Sequence, residues 1–129
     1  MRILIDTNVL ISAFVFGGKA GKLLELLFCT EHVLLISDYV DSEFKAKLGQ
    51  KWPNKADEIY SLYHALPFVF CQSSSELFGK PRDEKDIQVL SDAIFHKADI
   101  ILSGDKDFLE SELEKPQVFS PSMLYDYFS

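Results

Sequence analysis

Short apolar runs alternate along this chain with segments whose apolar residues recur every three or four positions, and that alternation constrains the fold more than any other feature. Arg2-Ile3-Leu4-Ile5, cut off by Asp6, reads as a strand buried on both faces of a parallel sheet. His32-Val33-Leu34-Leu35-Ile36, Phe68-Val69-Phe70 and Asp99-Ile100-Ile101-Leu102 read the same way, and Val118-Phe119 as an edge strand. Between them lie helical spacings. Leu10, Ile11 and Phe14 form a first stripe that Gly17-Gly18 breaks, and Leu23, Leu24, Leu27 and Phe28 a second. Ser37 or Asp38 can cap a helix with Val40, Phe44 and Leu48 on one face. Pro53 opens a helix with Ile59, Leu62, Tyr63 and Leu66, which Pro67 ends. Asp83 or a neighbour starts one with Ile87, Leu90 and Ile94, a short Glu-rich helical segment follows Asp105, and Pro121 opens the last helix through Leu124, Tyr127 and Phe128. The expectation is an α/β fold: three layers, α/β/α, around a central, mostly parallel sheet of about five strands.

The 129 residues suit one domain spanning 1–129. With 47% hydrophobic and 26% charged residues the chain has a globular balance, which excludes a disordered one. Cys29 and Cys71 have neither metal-ligand spacing nor disulfide density, and a reduced cytosolic pair is expected. Asp6 interrupts the N-terminal apolar run far short of a membrane span, so the expected location is the cytoplasm, with no membrane partner. Thirteen Lys and Arg against twenty Asp and Glu give a net charge of -7, which sets the molecule as a whole against polyanions unless a metal or a local basic patch intervenes.

Ligands of open parallel sheets bind beyond the carboxyl ends of strands, where the strand order reverses. Asp6 directly follows the first strand and Asp105 lies three residues beyond Leu102, so their carboxylates converge if those strands are neighbours. Glu43, one turn after Val40 and one before Lys47, points either along the sheet top or into solvent. Asp83 and Asp86 stand three apart at a helix start, where the helix dipole favours negative charge, and Asp92 beside Ala93 is expected to be partly buried. A lone Asp at a strand end or helix start is far more often a cap than a catalyst. Several acids brought to one sheet edge are another matter: crowded like charges are costly unless a hard cation such as Mg²⁺ or Mn²⁺ neutralises them.

Ile3-Leu4-Ile5-Asp6-Thr7-Asn8-Val9-Leu10 with Ser12-Ala13, then Ser37 to Glu43, Asp83-Glu84-Lys85-Asp86 through Ala93, and Ile101-Leu102-Ser103-Gly104-Asp105-Lys106-Asp107-Phe108 together resemble, in order, the motifs of the PIN-domain ribonucleases, in particular VapC-like toxins of toxin-antitoxin systems. The resemblance implies a three-layer PIN-like fold and a metal-dependent endoribonuclease. It makes Asp6, Glu43, Asp86 and Asp105 a catalytic acidic quartet that holds Mg²⁺ or Mn²⁺, adds Asp107 at the metal, and puts Asn8 beside it in support. Asp83 is either an N-cap or a second supporting acid. The chain departs from the pattern at Ser103, where Thr is usual, at Glu84, where Pro is common, and at Asp92, where a small or apolar residue is frequent; Asp92 is either a further charge behind the metal site or a paired core acid.

The resemblance further implies an RNA substrate cut to leave a 5′-phosphate and a 3′-hydroxyl, a cognate antitoxin protein, and a possible homodimer. Lys80, Arg82 and Lys85 precede Asp86, and Lys45, Lys47, Lys51 and Lys55 follow the Glu43 turn, so two basic patches are candidates for RNA phosphates, against the plainer reading of solvated helix faces. The antitoxin groove is expected around Phe14, Phe16, Leu23 and Leu27. His32, His64 and His96 are scattered and expected to be structural or exposed. A haloacid-dehalogenase phosphatase would need an acid where Asn8 stands, and no receiver-domain pattern can be assembled. The alternative that survives is a catalytically inactive PIN-like module that binds RNA or protein.

Overall fold

The computed structural model describes residues 1–77, 84–105 and 116–128, without the side chains of 84–86. Five strands, β1 (Arg2–Ile5), β2 (Val33–Ser37), β3 (Val69–Cys71), β4 (Ile100–Leu102) and β5 (Gln117–Phe119), form one sheet in the order β3-β2-β1-β4-β5. Every pairing is parallel, including β1 to β4 with Leu4 opposite Ile101 and Ile5 opposite Leu102. Consecutive strand residues face opposite sides of a sheet. Ile3, Leu4 and Ile5 are all fully buried, as are Leu34 to Ile36 and Ile100 to Leu102 to within a few per cent, so helices cover both faces of the central strands. The expected α/β architecture of about five strands is therefore observed, with the sheet wholly parallel.

The described helices are α1 (Thr7–Ile11), which runs on into a π-helical turn (Ser12–Phe16), α2 (Gly18–Phe28), α3 (Asp38–Lys51), α4 (Ala56–His64), α5 (Glu84–Phe95) and α6 (Pro121–Phe128). Gly17 and Gly18 have φ of 80° and 54°, left-handed values that glycine adopts without a Cβ penalty, and so turn the chain from the π-helical turn into α2. Ser37 caps α3, its hydroxyl accepting from Val40 N at 3.2 Å. The expected stripe Val40, Phe44 and Leu48 is fully buried.

Four local expectations need correction. Pro53 lies in the turn before α4, which starts at Ala56 and ends at His64, short of Pro67. On α4 the side chain driven inward is Tyr63, while Leu62 is 62% exposed. Tyr63 is selected because its hydroxyl reaches Asp41 on α3 at 2.8 Å while its ring packs on Phe44 at 4.8 Å. On α5 the buried stripe is Val89, Leu90 and Ala93, a rotation from the expected one that leaves Ile94 at the surface. Finally, β3 begins at Val69 and includes Cys71, with Phe68 buried ahead of it. The expected Glu-rich helical segment lies outside the described residues.

Candidate metal centre

The strand order puts β1 between β2 and β4, so the chain switches direction across the sheet at the β1/β4 crevice. Asp6 leaves β1 there, with its backbone N–H donating to Leu102 O at 2.9 Å. Its carboxylate is held at both oxygens: Oδ1 accepts from Thr7 N at 2.8 Å, capping α1, and Oδ2 accepts from the Ser103 hydroxyl at 2.9 Å. Ser103 is fully buried and in turn accepts from Asp105 N at 3.2 Å. The two strand ends are thus laced together through one hydroxyl, and the half-buried Asp6 and Asp105 share it. Asp6 thus caps α1 with the same carboxylate that was expected at the site.

Glu43 enters from α3. The burial of Val40, Phe44 and Leu48 fixes the roll of that helix and leaves Glu43 on its flank, with its side chain only 17% exposed. Lys47, one turn on, places Nζ 3.8 Å from Glu43 Oε1 and 3.5 Å from Asn8 Oδ1, two residues past Asp6. Lys47 was expected in a basic patch for RNA phosphates or on a solvated helix face; its spacing of four from Glu43 was the signal for this pairing. Lys45 faces elsewhere, over the Tyr60 ring of α4 at 5.4 Å.

Asp86 and Lys85 fall in the first turn of α5, the side chains lying outside the description. Asp107, Asp83, Lys80 and Arg82 lie outside the described residues. Asp92 is fully buried away from the β1/β4 edge: Oδ1 accepts from Ser74 N at 2.6 Å and Gln88 Nε2 at 2.9 Å, tying the loop after β3 to α5, and Oδ2 has no partner among the described residues. His32 contacts the N-terminus, His64 stacks on Phe70, and His96 bonds the Gln72 carbonyl, so none reaches the acids.

No group of three or more Asp, Glu, His or Cys capable of holding a metal occurs among the described residues. The chemistry of the donors present nevertheless fits a hard divalent cation. They are carboxylates at a sheet edge, with Asp6 already oriented by two donors, and there is no thiolate or imidazole among them. Asp86 would add a further carboxylate at the N-terminus of α5.

Both cysteines are free, Cys29 exposed and Cys71 half-buried at the end of β3. Burial pushes the Cys71 thiol up to about 11, reinforced by the nearby Asp92 and Asp38 and partly offset by Arg2. Its thiol is therefore neutral in the fold. The resulting stabilisation is complete below pH 9, where the unfolded thiol is also protonated, and is lost as pH climbs toward 11. Iodoacetamide at pH 8 is expected to modify Cys29 at least about tenfold faster than Cys71, as mass spectrometry of the two peptides would show.

Along the flank of α2, an apolar groove of about 560 Å³ runs between the π-helical turn, α2 and α4. Phe14, Gly21, Leu24, Phe28, Leu62 and Leu66 are among its lining. Phe14 was expected in such a groove. Leu23 and Leu27 were too, but both are core residues turned toward the sheet, and Phe16 packs on Trp52 instead. No described helix is long and apolar enough to cross a membrane.

The PIN domain family pattern matches residues 2–107. Among solved structures, the VapBC2 complex of Rickettsia felis, bound to a DNA fragment from its promoter, is similar with a TM-score of 0.72 at 15% identity, over 93% of this chain and 98% of that one. VapC20 of Mycobacterium tuberculosis, described as a sarcin-ricin loop cleaving toxin, is similar with a TM-score of 0.64 at 14% identity, over 82% of this chain and 92% of that one. No curated protein matches by sequence. At these identities the structural likeness speaks for the fold alone.

Proposed function

Because the chain belongs to the PIN-domain family, we propose that it is a metal-dependent endoribonuclease and the toxin member of a toxin-antitoxin pair. The observation that carries this reading is the lacing of Asp6 and Asp105 through Ser103 at the switch point of the sheet, with Glu43 on α3 linked to α1 through Lys47 and Asn8. Asp6, Glu43, Asp86 and Asp105 are the residues that would hold Mg²⁺ or Mn²⁺, with Asp107 adjoining and Asn8 and Asp83 in support. A cation bound there supplies Lewis acidity toward a phosphodiester and lowers the pKa of a bound water. The protein's own part is placement. Ser103 and Thr7 N–H fix the rotamer of Asp6, the buried face of α3 fixes Glu43, and Lys80, Arg82 and Lys85 supply charge for RNA phosphates. The net charge of -7 is compatible with RNA because it includes the four acids that the metal neutralises.

Purified protein incubated with a mixed RNA pool should cut it with Mn²⁺ or Mg²⁺ and leave it intact with EDTA. RNA binding without cutting under any metal would favour the inactive binding module instead.

The groove beside α2 and α4 supports an antitoxin partner, since it is lined by apolar side chains and leaves Leu62 open to solvent. Leu62→Glu, at a side chain 62% exposed, should weaken co-purification with the antitoxin at least about tenfold while leaving metal-dependent cleavage intact. Equal loss of both would place the groove's role in folding.

A further inference from the structure

One flank of α3 carries Glu43 and Lys47, and the other faces a ladder of aromatic rings that neither the acids nor the apolar groove uses. Asp41 and Lys45, each two positions earlier and so nearly opposite on the helix, mark this second flank. Asp41 accepts from the hydroxyls of Tyr60 at 3.1 Å and Tyr63 at 2.8 Å, which fixes the Tyr60 ring. From there the rings run outward. Tyr60 lies 5.7 Å from His64, and His64 stacks on Phe70 at 4.8 Å with 24° between their planes. His64 is exposed, and Phe70, on the edge strand β3, is 38% exposed. At the other end Lys45 is exposed, with its ammonium 5.4 Å from the centre of the Tyr60 ring and no carboxylate partner among the described residues. Leu62 and Leu66, two positions after Tyr60 and His64, turn the opposite way into the groove.

We propose that Tyr60, His64 and Phe70 form a stacking platform for the bases of single-stranded RNA, on which a base continues the ladder at its Phe70 end while Lys45 takes a backbone phosphate. The proposal rests on the RNA-substrate reading above and needs no metal. Area decides between occupants. A specific protein interface takes roughly 1,000 Å² or more of well-fitted surface, and two partly exposed rings at the end of a narrow ladder offer only a small part of it. A base asks for no more than a ring face, and since every base has one, such stacking tolerates sequence. Charge points the same way: an ammonium without a carboxylate, set beside a row of rings, matches a polyanion whose bases are unpaired. The ladder is also ordered before anything binds. Asp41 holds Tyr60, and the buried Tyr63 meets Phe70 edge to face at 5.8 Å, so little entropy is lost on stacking. A strand held there lies one helix width, about 10 Å, across α3 from Glu43.

The probe is a short oligoadenylate RNA carrying a single 2-aminopurine, in EDTA so that nothing is cut. Wild type should bind it and quench the 2-aminopurine fluorescence, as stacking does. Phe70→Leu keeps the apolar bulk and removes the ring; it and His64→Ala should each weaken binding about tenfold and remove most of the quench, whereas Phe70→Tyr should keep both. Lys45→Ala should weaken binding and flatten the dependence of log K on log salt by about one unit of slope, with the quench of bound RNA intact. An abasic sugar-phosphate strand of the same length should bind wild type about tenfold more weakly than the oligoadenylate, a comparison that needs no variant to fold. Equal binding of the two strands, or binding and quench unchanged in Phe70→Leu and His64→Ala, would overturn the proposal; Mn²⁺-dependent cleavage by the same wild-type protein would leave the nuclease reading standing. A wild-type dimer in sedimentation that Phe70→Leu turns into a monomer would also overturn it, by giving the rings to a second copy. A wild-type protein that binds no RNA would overturn both readings.

Discussion

Asp6→Asn should lower the rate of Mn²⁺-dependent RNA cleavage about 10³-fold or more while leaving the fold in place. A Lewis-acidic metal contributes several kcal/mol to stabilising charge on an attacked phosphate, and about 4 kcal/mol corresponds to 10³ in rate. The variant separates chemistry from structure because asparagine is nearly isosteric and caps helices as well as aspartate does. The amide oxygen can keep the bond from Thr7 N, and the Ser103 hydroxyl can rotate to accept from the amide nitrogen in place of donating to Oδ2. Thermal unfolding should therefore shift by only a few degrees. A variant that loses cleavage and the native circular dichroism spectrum together would mean that Asp6 serves the fold.

The second large effect falls on stability. Phe44 is fully buried, with its ring 4.8 Å from that of Tyr63 and 6.1 Å from that of Phe14, so it is the hinge of the aromatic cluster joining α3, α4 and the π-helical turn. Phe44→Ala should cost about 3–5 kcal/mol, a large part of the stability of a domain this size, and lower Tm by roughly 10–20 °C. Phe44→Leu should lose less than half as much, because most of the cavity stays filled. The site feels this loss as well: Glu43 and Lys47 each precede a buried residue of α3, so a loosened helix releases both. Cleavage by Phe44→Ala should fall below that of Phe44→Leu even at temperatures where both are folded.

The contrast between Asp6 and Glu43 shows how much of the site was legible in the sequence. A strand end is a fixed address: once Ile3 to Ile5 and Ile100 to Leu102 read as neighbouring buried strands, Asp6 and Asp105 had to emerge at the same edge, and the β1/β4 pairing puts them there. A residue on a helix flank has no such address. The position of Glu43 depends on the roll of α3, which is set by long-range packing of Phe44 on Tyr63 and by Asp41 receiving hydroxyls from Tyr60 and Tyr63. Asp41 itself was invisible as a tie, because an acid in the first turn of a helix already has an electrostatic reason to be there. The same freedom of roll explains Leu62 and Ile94. A stripe of apolar residues can be rotated by one position and still satisfy helical spacing, and a tyrosine whose hydroxyl finds a buried partner outcompetes a leucine for the inside. For Lys47 the spacing of four from Glu43 was legible, but its reach across to Asn8 on α1 was not, since nothing local distinguishes a lysine that bridges two helices from one in a basic patch.

The central claim is that the acids at the β1/β4 edge hold a divalent metal and use it to hydrolyse RNA. It is tested most directly by analysing the ends of the products that wild type and Asp6→Asn make from a single defined RNA in Mn²⁺. Wild type should release fragments with a 5′-phosphate and a 3′-hydroxyl, in amounts that vanish with EDTA, and the variant should release essentially none. Cleavage that survives the chelator, proceeds equally in the variant, or leaves a cyclic phosphate would contradict the claim.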